Sequence, residues 1–378
     1  MNSTLQVASR RLRRRFLMRT LALAGFLCSS VVLAQVTPPA NAPITAAEQS
    51  AVIASLGQQL KSRYIFPDVA ATTAAALSAK AARGGYHDAR TATAFAEALT
   101  ADLRSIGKDR HFRVGFAPGM PAPPQRSDPA SYVKEIARMR PAMASEGYGI
   151  SRVQWLPGGV GYIDLRLVGP AEIVGSAYDA AMSLVSGTHA LILDLRSNRG
   201  GEPSGVAYLI SHFFAEGDAR HINDIHYRAD NSTRQYWTIP SAMPRFAGPV
   251  YVLTSGHTFS AAEECAYDLQ TQERATLVGE TTGGAANPGE AISLGHGFLA
   301  FVSTGQAINP ITGTNWEHVG VKPDVAVPAS SAMKVAYTAI LDGLVKKSTD
   351  PDEQAELKGI LARVRSGKLS LPAYSPHH

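Results

Sequence analysis

The chain has 378 residues, 45% of them apolar and 18% charged, enough to bury a large core and too apolar for disorder to be the main state. Two cysteines exclude a disulfide scaffold. The formal charge of +5 would suggest a nucleic-acid or membrane-surface partner, but residues 1–34 hold six arginines and no lysine or acidic residue, so the remainder carries −1. No nucleic-acid partner is expected.

Residues 1–34 read as a cleavable export signal: an arginine-rich start, an apolar stretch over 21–33, and small residues Val32 and Ala34 before a cleavage point. The expected location is periplasmic or secreted, with no stable membrane insertion once the leader is gone. Arg13, Arg14 and Arg15 resemble a twin-arginine signal, which exports folded proteins. An ordinary Sec leader and an uncleaved anchor are the alternatives. Cleavage would remove Cys28 and leave Cys265 as the single thiol, so the mature fold must stand on its core.

Residues 35–43 (QVTPPANAP) form a proline-rich linker. Residues 44–115 are rich in alanine, with Leu56, Leu60, Leu77, Phe95, Leu99 and Leu103 at helical spacing. They predict a small bundle of about three helices, broken near Pro67 and near Gly84 and Gly85. Residues 116–157, with a second proline-rich run, form a connecting segment and at roughly 40 residues are too few for an independent domain. Residues 158–345 alternate short apolar runs with helical stretches. Strands are predicted at 160–165, 190–195, 250–254, 275–278 and 298–303, and helices at 171–185, 261–270 and 332–344. That alternation predicts an α/β domain with buried strands covered by helices. Residues 346–378 complete the chain as a helical tail.

No dinucleotide fingerprint, P-loop, zinc-protease motif or paired-cysteine spacing occurs, so no cofactor or metal is expected. Two strand-ending loops stand out instead. Residues 194–201 (DLRSNRGG) run from a strand into two glycines, where backbone N–H groups can approach a ligand, although a plain tight turn reads the same way. Arg196, Asn198 and Arg199 there could touch substrate or simply face solvent. Residues 254–263 (TSGHTFSAAE) run from a strand into a helix whose first turn follows Ser260. Ser260 with Glu263 three residues on is an ordinary capping box. The same place offers a nucleophilic oxygen beside the positive end of a helix.

These loops, with residues 279–284 (GETTGG) and 319–324 (VGVKPD), resemble in order and spacing the tail-specific, or C-terminal processing, serine peptidases. The resemblance covers most of the mature chain. It implies a mixed β-sheet catalytic domain covered by helices (a crotonase/ClpP-like core), preceded by the helical bundle. Ser260 would be the nucleophile, with an oxyanion hole from Ala261 and from Gly200 or Gly201. A serine–lysine dyad does not fit, because no lysine occurs between Ser260 and Lys322, and the connecting segment is too short for a PDZ domain.

A serine needs a base. The branch resembling the tricorn protease core and interphotoreceptor retinoid-binding protein modules supplies a histidine from the N-terminal region and a later glutamate, which map to His111 and Glu317. The resemblance thus implies a Ser260–His111–Glu317 triad acting on a peptide or protein. Arg110 stands where such enzymes carry a serine, a departure from the pattern at the place of a fourth member. His257 and His318 are rival bases, and Asp109 reads as a turn residue. Tyr236 and Trp237 read as core or rim. A binding module for an apolar ligand and a small-molecule esterase or amidase are the alternative functions on this fold.

Overall fold

The computed structural model describes residues 42–120 and 129–375. The expected leader, Cys28 and nearly all of the 35–43 linker lie outside the described residues. The described chain opens with helices α1 (Ala46–Arg63), α2 (Pro67–Ala82) and α3 (Ala92–Gly107). Thr45 and Glu48 cap α1 reciprocally, Glu48 N–H to Thr45 Oγ1 at 3.2 Å and Thr45 N–H to Glu48 Oε2 at 2.8 Å. Pro67 starts α2, where its missing N–H costs nothing. The leucines at helical spacing point inward: Leu56, Leu60, Leu99 and Leu103 are fully buried, each contributing about 2 kcal/mol of apolar burial.

α3 ends at Lys108 in the left-handed region (φ 58°), and this turn reverses the chain into β1 (Arg113–Phe116). After α4 (Pro129–Ser145) come β2 (Ile150–Leu156), β3 (Val160–Leu165), α5 (Ala171–Val185), β4 (Ala190–Asp194) and α6 (Pro203–Ser211). Next are β5 (His221–Tyr227), β6 (Ser232–Trp237), β7 (Val250–Thr254), α7 (Ala261–Thr271) and β8 (Ala275–Gly279). The rest is β9 (Gly289–Gly295), β10 (Phe298–Ser303), β11 (Gly305–Ile308), β12 (Val325–Ala326), α8 (Ala329–Lys347) and α9 (Pro351–Arg365).

The central sheet has the order β12-β8-β7-β4-β3-β2, parallel except for β2 at one edge. Both faces are covered, which explains the unbroken apolar run of β4. Leu191 and Leu193 point to the core beneath α5, α6 and α7, while Ala190 and Ile192 point to the core beneath α8 and α9. The chain is therefore a mixed α/β protein behind a helical N-terminal region.

Three features go beyond the sequence reading. The stretch expected only to connect holds α4 and the sheet-edge strand β2, whose mostly exposed residues carry no apolar run. α9 buries Leu357, Ile360, Leu361 and Val364 against the sheet-side core. β10 does not join the central sheet. It pairs with β1 and β9, and alternate residues Phe298, Ala300 and Val302 enter the core of the N-terminal helices. That pairing holds the end of α3 against the loops at the end of β7.

Candidate active site

Ser260 occupies the corner between β7 and α7 at φ 53° and ψ −123°, a conformation that L residues rarely adopt. Its N–H donates to Glu263 (2.8 Å). The fully buried Glu263 carboxylate also accepts the Thr282 hydroxyl (2.5 Å) and the amides of Gly284 (2.6 Å) and Ala285 (3.0 Å). Burial pushes its pKa up to about 7 against the pull of these donors. The expected capping residue thus fastens the serine corner to the 282–285 loop. Neighbouring bonds lace the two strand-ending loops together: Ser255 Oγ to Arg196 O (2.6 Å), Thr258 Oγ1 to Leu195 O (2.9 Å) and Phe259 N to Asn198 O (3.1 Å).

His111 comes from the α3–β1 turn, 149 residues earlier, and its Nε2 lies 3.0 Å from Ser260 Oγ. The ring sits beside Phe259 and Phe301, with centroids 5.1 and 5.7 Å away. Burial holds its pKa below the usual histidine value, Asp109 opposing and Arg104 assisting. The fully buried Asp109 accepts the His111 N–H at 2.8 Å, a local turn bond, and the Ser303 hydroxyl at 2.6 Å. Burial, with the charge of Asp109, pushes the nearby Tyr64 hydroxyl's pKa up. Asp109 Oδ1 is 3.8 Å from His111 Nδ1. Sequence alone reads this residue as a turn former; its signal is an acidic residue two places before the candidate base.

Glu317 is brought to the same region but uses Oε2 on the amides of Ala286 (2.6 Å) and Asn287 (3.1 Å). Its Oε1 and the Nδ1 of His111 have no hydrogen-bond partner among the described residues. Burial, with the charge of Asp109, pushes the Glu317 carboxyl up to about 8. His257 and His318 are both exposed, and His318 Nδ1 lies 3.6 Å from Glu317 Oε1. Arg110 donates to the Gly283 carbonyl.

Of the expected oxyanion donors, Gly200 gives its N–H to Asn198 Oδ1 at 2.9 Å. Ala261 is the first residue of α7, so its amide has no carbonyl of its own helix to bond. Gly200 (φ 99°) leaves clearance: a Cβ there would stand 2.7 Å from Ser260 Cβ and 3.1 Å from Ala261 N. Gly201 (φ 142°) bridges to Val168 in parallel fashion.

Arg196 is neither a substrate contact nor solvated. It is buried in a two-point pair with Asp194 (2.9 and 2.5 Å) and donates to Ala329 O (2.8 Å), binding the loop to α8. Asn198 is also buried, whereas Arg199 is exposed. Trp237 is a rim residue, half-exposed and stacked on His221 at 4.5 Å.

A narrow cleft opens beside Ser260 and Ala261, walled by Gly201, Pro203, Ile225, Ala286 and Trp316. Glu202 and Glu264 give it an acidic side. Among the described residues, no group of three or more histidine, cysteine or acidic side chains is placed to hold a metal ion. No helix among them is long and apolar enough to cross a membrane.

Residues 159–327 match the model of peptidase family S41, and residues 44–146 match the N-terminal domain of Peptidase S41 in eukaryotic IRBP. Among solved structures, a lipoprotein from Streptococcus agalactiae is similar at 12% identity and TM-score 0.51, over 82% of this chain and 100% of that one. A putative peptidase from Parabacteroides merdae ATCC 43184 is 19% identical, with TM-score 0.48, over 74% and 90%. The photosystem II D1 C-terminal processing protease is 15% identical, with TM-score 0.44, over 76% and 94%.

Proposed function

The chain belongs to peptidase family S41, and on that premise we propose that it is an exported serine peptidase whose nucleophile is Ser260 and whose general base is His111. The observation that carries the reading is the 3.0 Å approach of His111 Nε2 to Ser260 Oγ at the N-terminal end of α7. A neutral imidazole accepts the hydroxyl proton as Oγ attacks the peptide carbonyl. Burial favours that neutral form. The developing oxyanion meets the Ala261 amide and the positive end of α7, with Gly201 on the opposite wall. His111 then passes its proton to the leaving amine. Water, deprotonated by the same imidazole, releases the acyl group from Ser260.

In this reading Gly200 supplies clearance, since its own N–H serves Asn198. Glu317, implied by the resemblance as the third member, anchors the 286–287 backbone, of which Ala286 walls the cleft. The substrate is an extended peptide laid across the cleft. The arginine-rich leader supports action in the periplasm or outside the cell.

The test is labelling with a fluorophosphonate probe, located by peptide mass spectrometry, in the wild type, Ser260→Ala and His111→Ala. An adduct on Ser260, lost in both variants while both remain folded, is the expected result. A folded wild type that is never labelled would overturn the assignment and direct attention to ligand binding.

A further inference from the structure

We propose that Asp109, and not Glu317, is the carboxylate that orients His111: a positioning residue that keeps the proton on Nδ1 and turns the Nε2 lone pair to Ser260. The inference rests on the reading of Ser260 and His111 as nucleophile and base. Asp109 is fully buried, and both groups that hydrogen-bond to it are donors: the His111 N–H and the Ser303 hydroxyl. These fix the carboxylate from two places: the α3–β1 turn and the end of β10. Its Oδ1 stands 3.8 Å from His111 Nδ1. That distance is an ion-pair contact and not yet a hydrogen bond, and such catalytic contacts tighten when substrate is bound.

The buried Nδ1 has no hydrogen-bond partner among the described residues, and among them Asp109 is the carboxylate that stands within 4 Å of it. When Nε2 takes the Ser260 proton, the resulting imidazolium gains a negative charge within 4 Å. Arg104, at the other side of the turn, acts in the opposite sense on the same ring. Glu317 has its Oε2 held by two backbone amides and its carboxyl pushed up to about 8, partly by the charge of Asp109 itself. A carboxyl with so raised a pKa is largely protonated at neutral pH. A neutral Glu317 cannot stabilise an imidazolium.

The experiment compares Asp109→Asn and Glu317→Gln in the full protein by two readouts. One is the rate of fluorophosphonate labelling at Ser260 from pH 5 to 9. The other is the NMR titration of His111, identified by its loss in His111→Gln. Asp109→Asn should slow labelling at least a hundredfold and move the His111 midpoint downward, because a negative charge beside the ring is gone. Glu317→Gln should slow labelling less and leave that midpoint in place.

The reverse pattern, with the midpoint following Glu317 and not Asp109, overturns the proposal. Should Asp109→Asn fail to fold, Ser303→Ala loosens the carboxylate without removing it. That variant should slow labelling several-fold, and wild-type rates in it count against the proposal. Absence of labelling in the wild type would sink the nucleophile reading, while the His111 titration would still judge Asp109.

Discussion

Replacing Gly200 by alanine isolates what the second strand-ending loop does for Ser260. The added Cβ would meet Ser260 Cβ at 2.7 Å, Phe259 O at 2.8 Å and Ala261 N at 3.1 Å. None of these is the far end of a flexible side chain, so the backbone itself must give. The position also has φ 99°, which costs a non-glycine residue about 1–2 kcal/mol. Forcing a methyl into a packed site costs about 1–3 kcal/mol more. The expected loss of unfolding free energy is therefore about 2–5 kcal/mol, read from the shift in urea midpoint at constant slope. The methyl also crowds the Ala261 amide, where the oxyanion would lie. Fluorophosphonate labelling of the folded variant should fall by about a hundredfold or more, as for loss of an oxyanion donor. Gly343→Ala in α8, where a Cβ meets nothing within 4 Å, is the control and should stabilise by about 0.5–1 kcal/mol. A Gly200→Ala protein that is within about 0.5 kcal/mol of wild type and labelled at the wild-type rate would refute the clearance argument.

Glu263→Ala orphans four donors around a buried carboxylate and should cost about 3–5 kcal/mol, with Ser260 unlabelled even where the protein is folded; wild-type labelling in this variant would show that the corner holds itself. Asp194→Asn leaves the Arg196 guanidinium buried without its charged partner and should destabilise by a similar amount, about 3–5 kcal/mol, in urea unfolding. Labelling should rise with pH to a plateau with a midpoint below 6.5, because the base works in its neutral form and burial lowers its pKa; a midpoint above 6.5 would mean another group is titrating. Stability should fall from pH 7 to pH 9. Glu263 and Glu264 (both pushed up to about 7) and Glu317 (about 8) bind protons in the fold that the unfolded chain has already lost. Carboxyls with raised folded pKa values contribute stability that is lost as pH rises through those values, here a few kcal/mol in all. The histidines whose pKa values are lowered, His111 and His212, act only below their unfolded value of 6.5 and leave this window undisturbed. A urea midpoint that is flat or rising over that range would contradict these pKa directions.

The parts of this architecture that were legible in sequence are those whose neighbours lie on both sides of an apolar run. β3, β7 and α5 begin and end where the residues 160–165, 250–254 and 171–185 change character, because burial on two faces or along one stripe writes a strong periodic signal. β2 wrote none, since most of its residues are exposed and its burial does not alternate along the strand. β10 was visible as a strand, but its partners β1 and β9 were not: pairing with a strand as far back as Arg113–Phe116 depends on which core its alternate side chains enter. The same limit governs the site. Ser260 could be named from its loop, and His111 through resemblance, yet the environment of His111 is built by β10 and α1, through Ser303, Phe301 and Tyr64. A turn aspartate becomes a candidate orienting group only when distant donors bury and fix it. Residue type supplies the chemistry available at each position, and the pairing of β10 with β1 determines which carboxylate stands beside the imidazole.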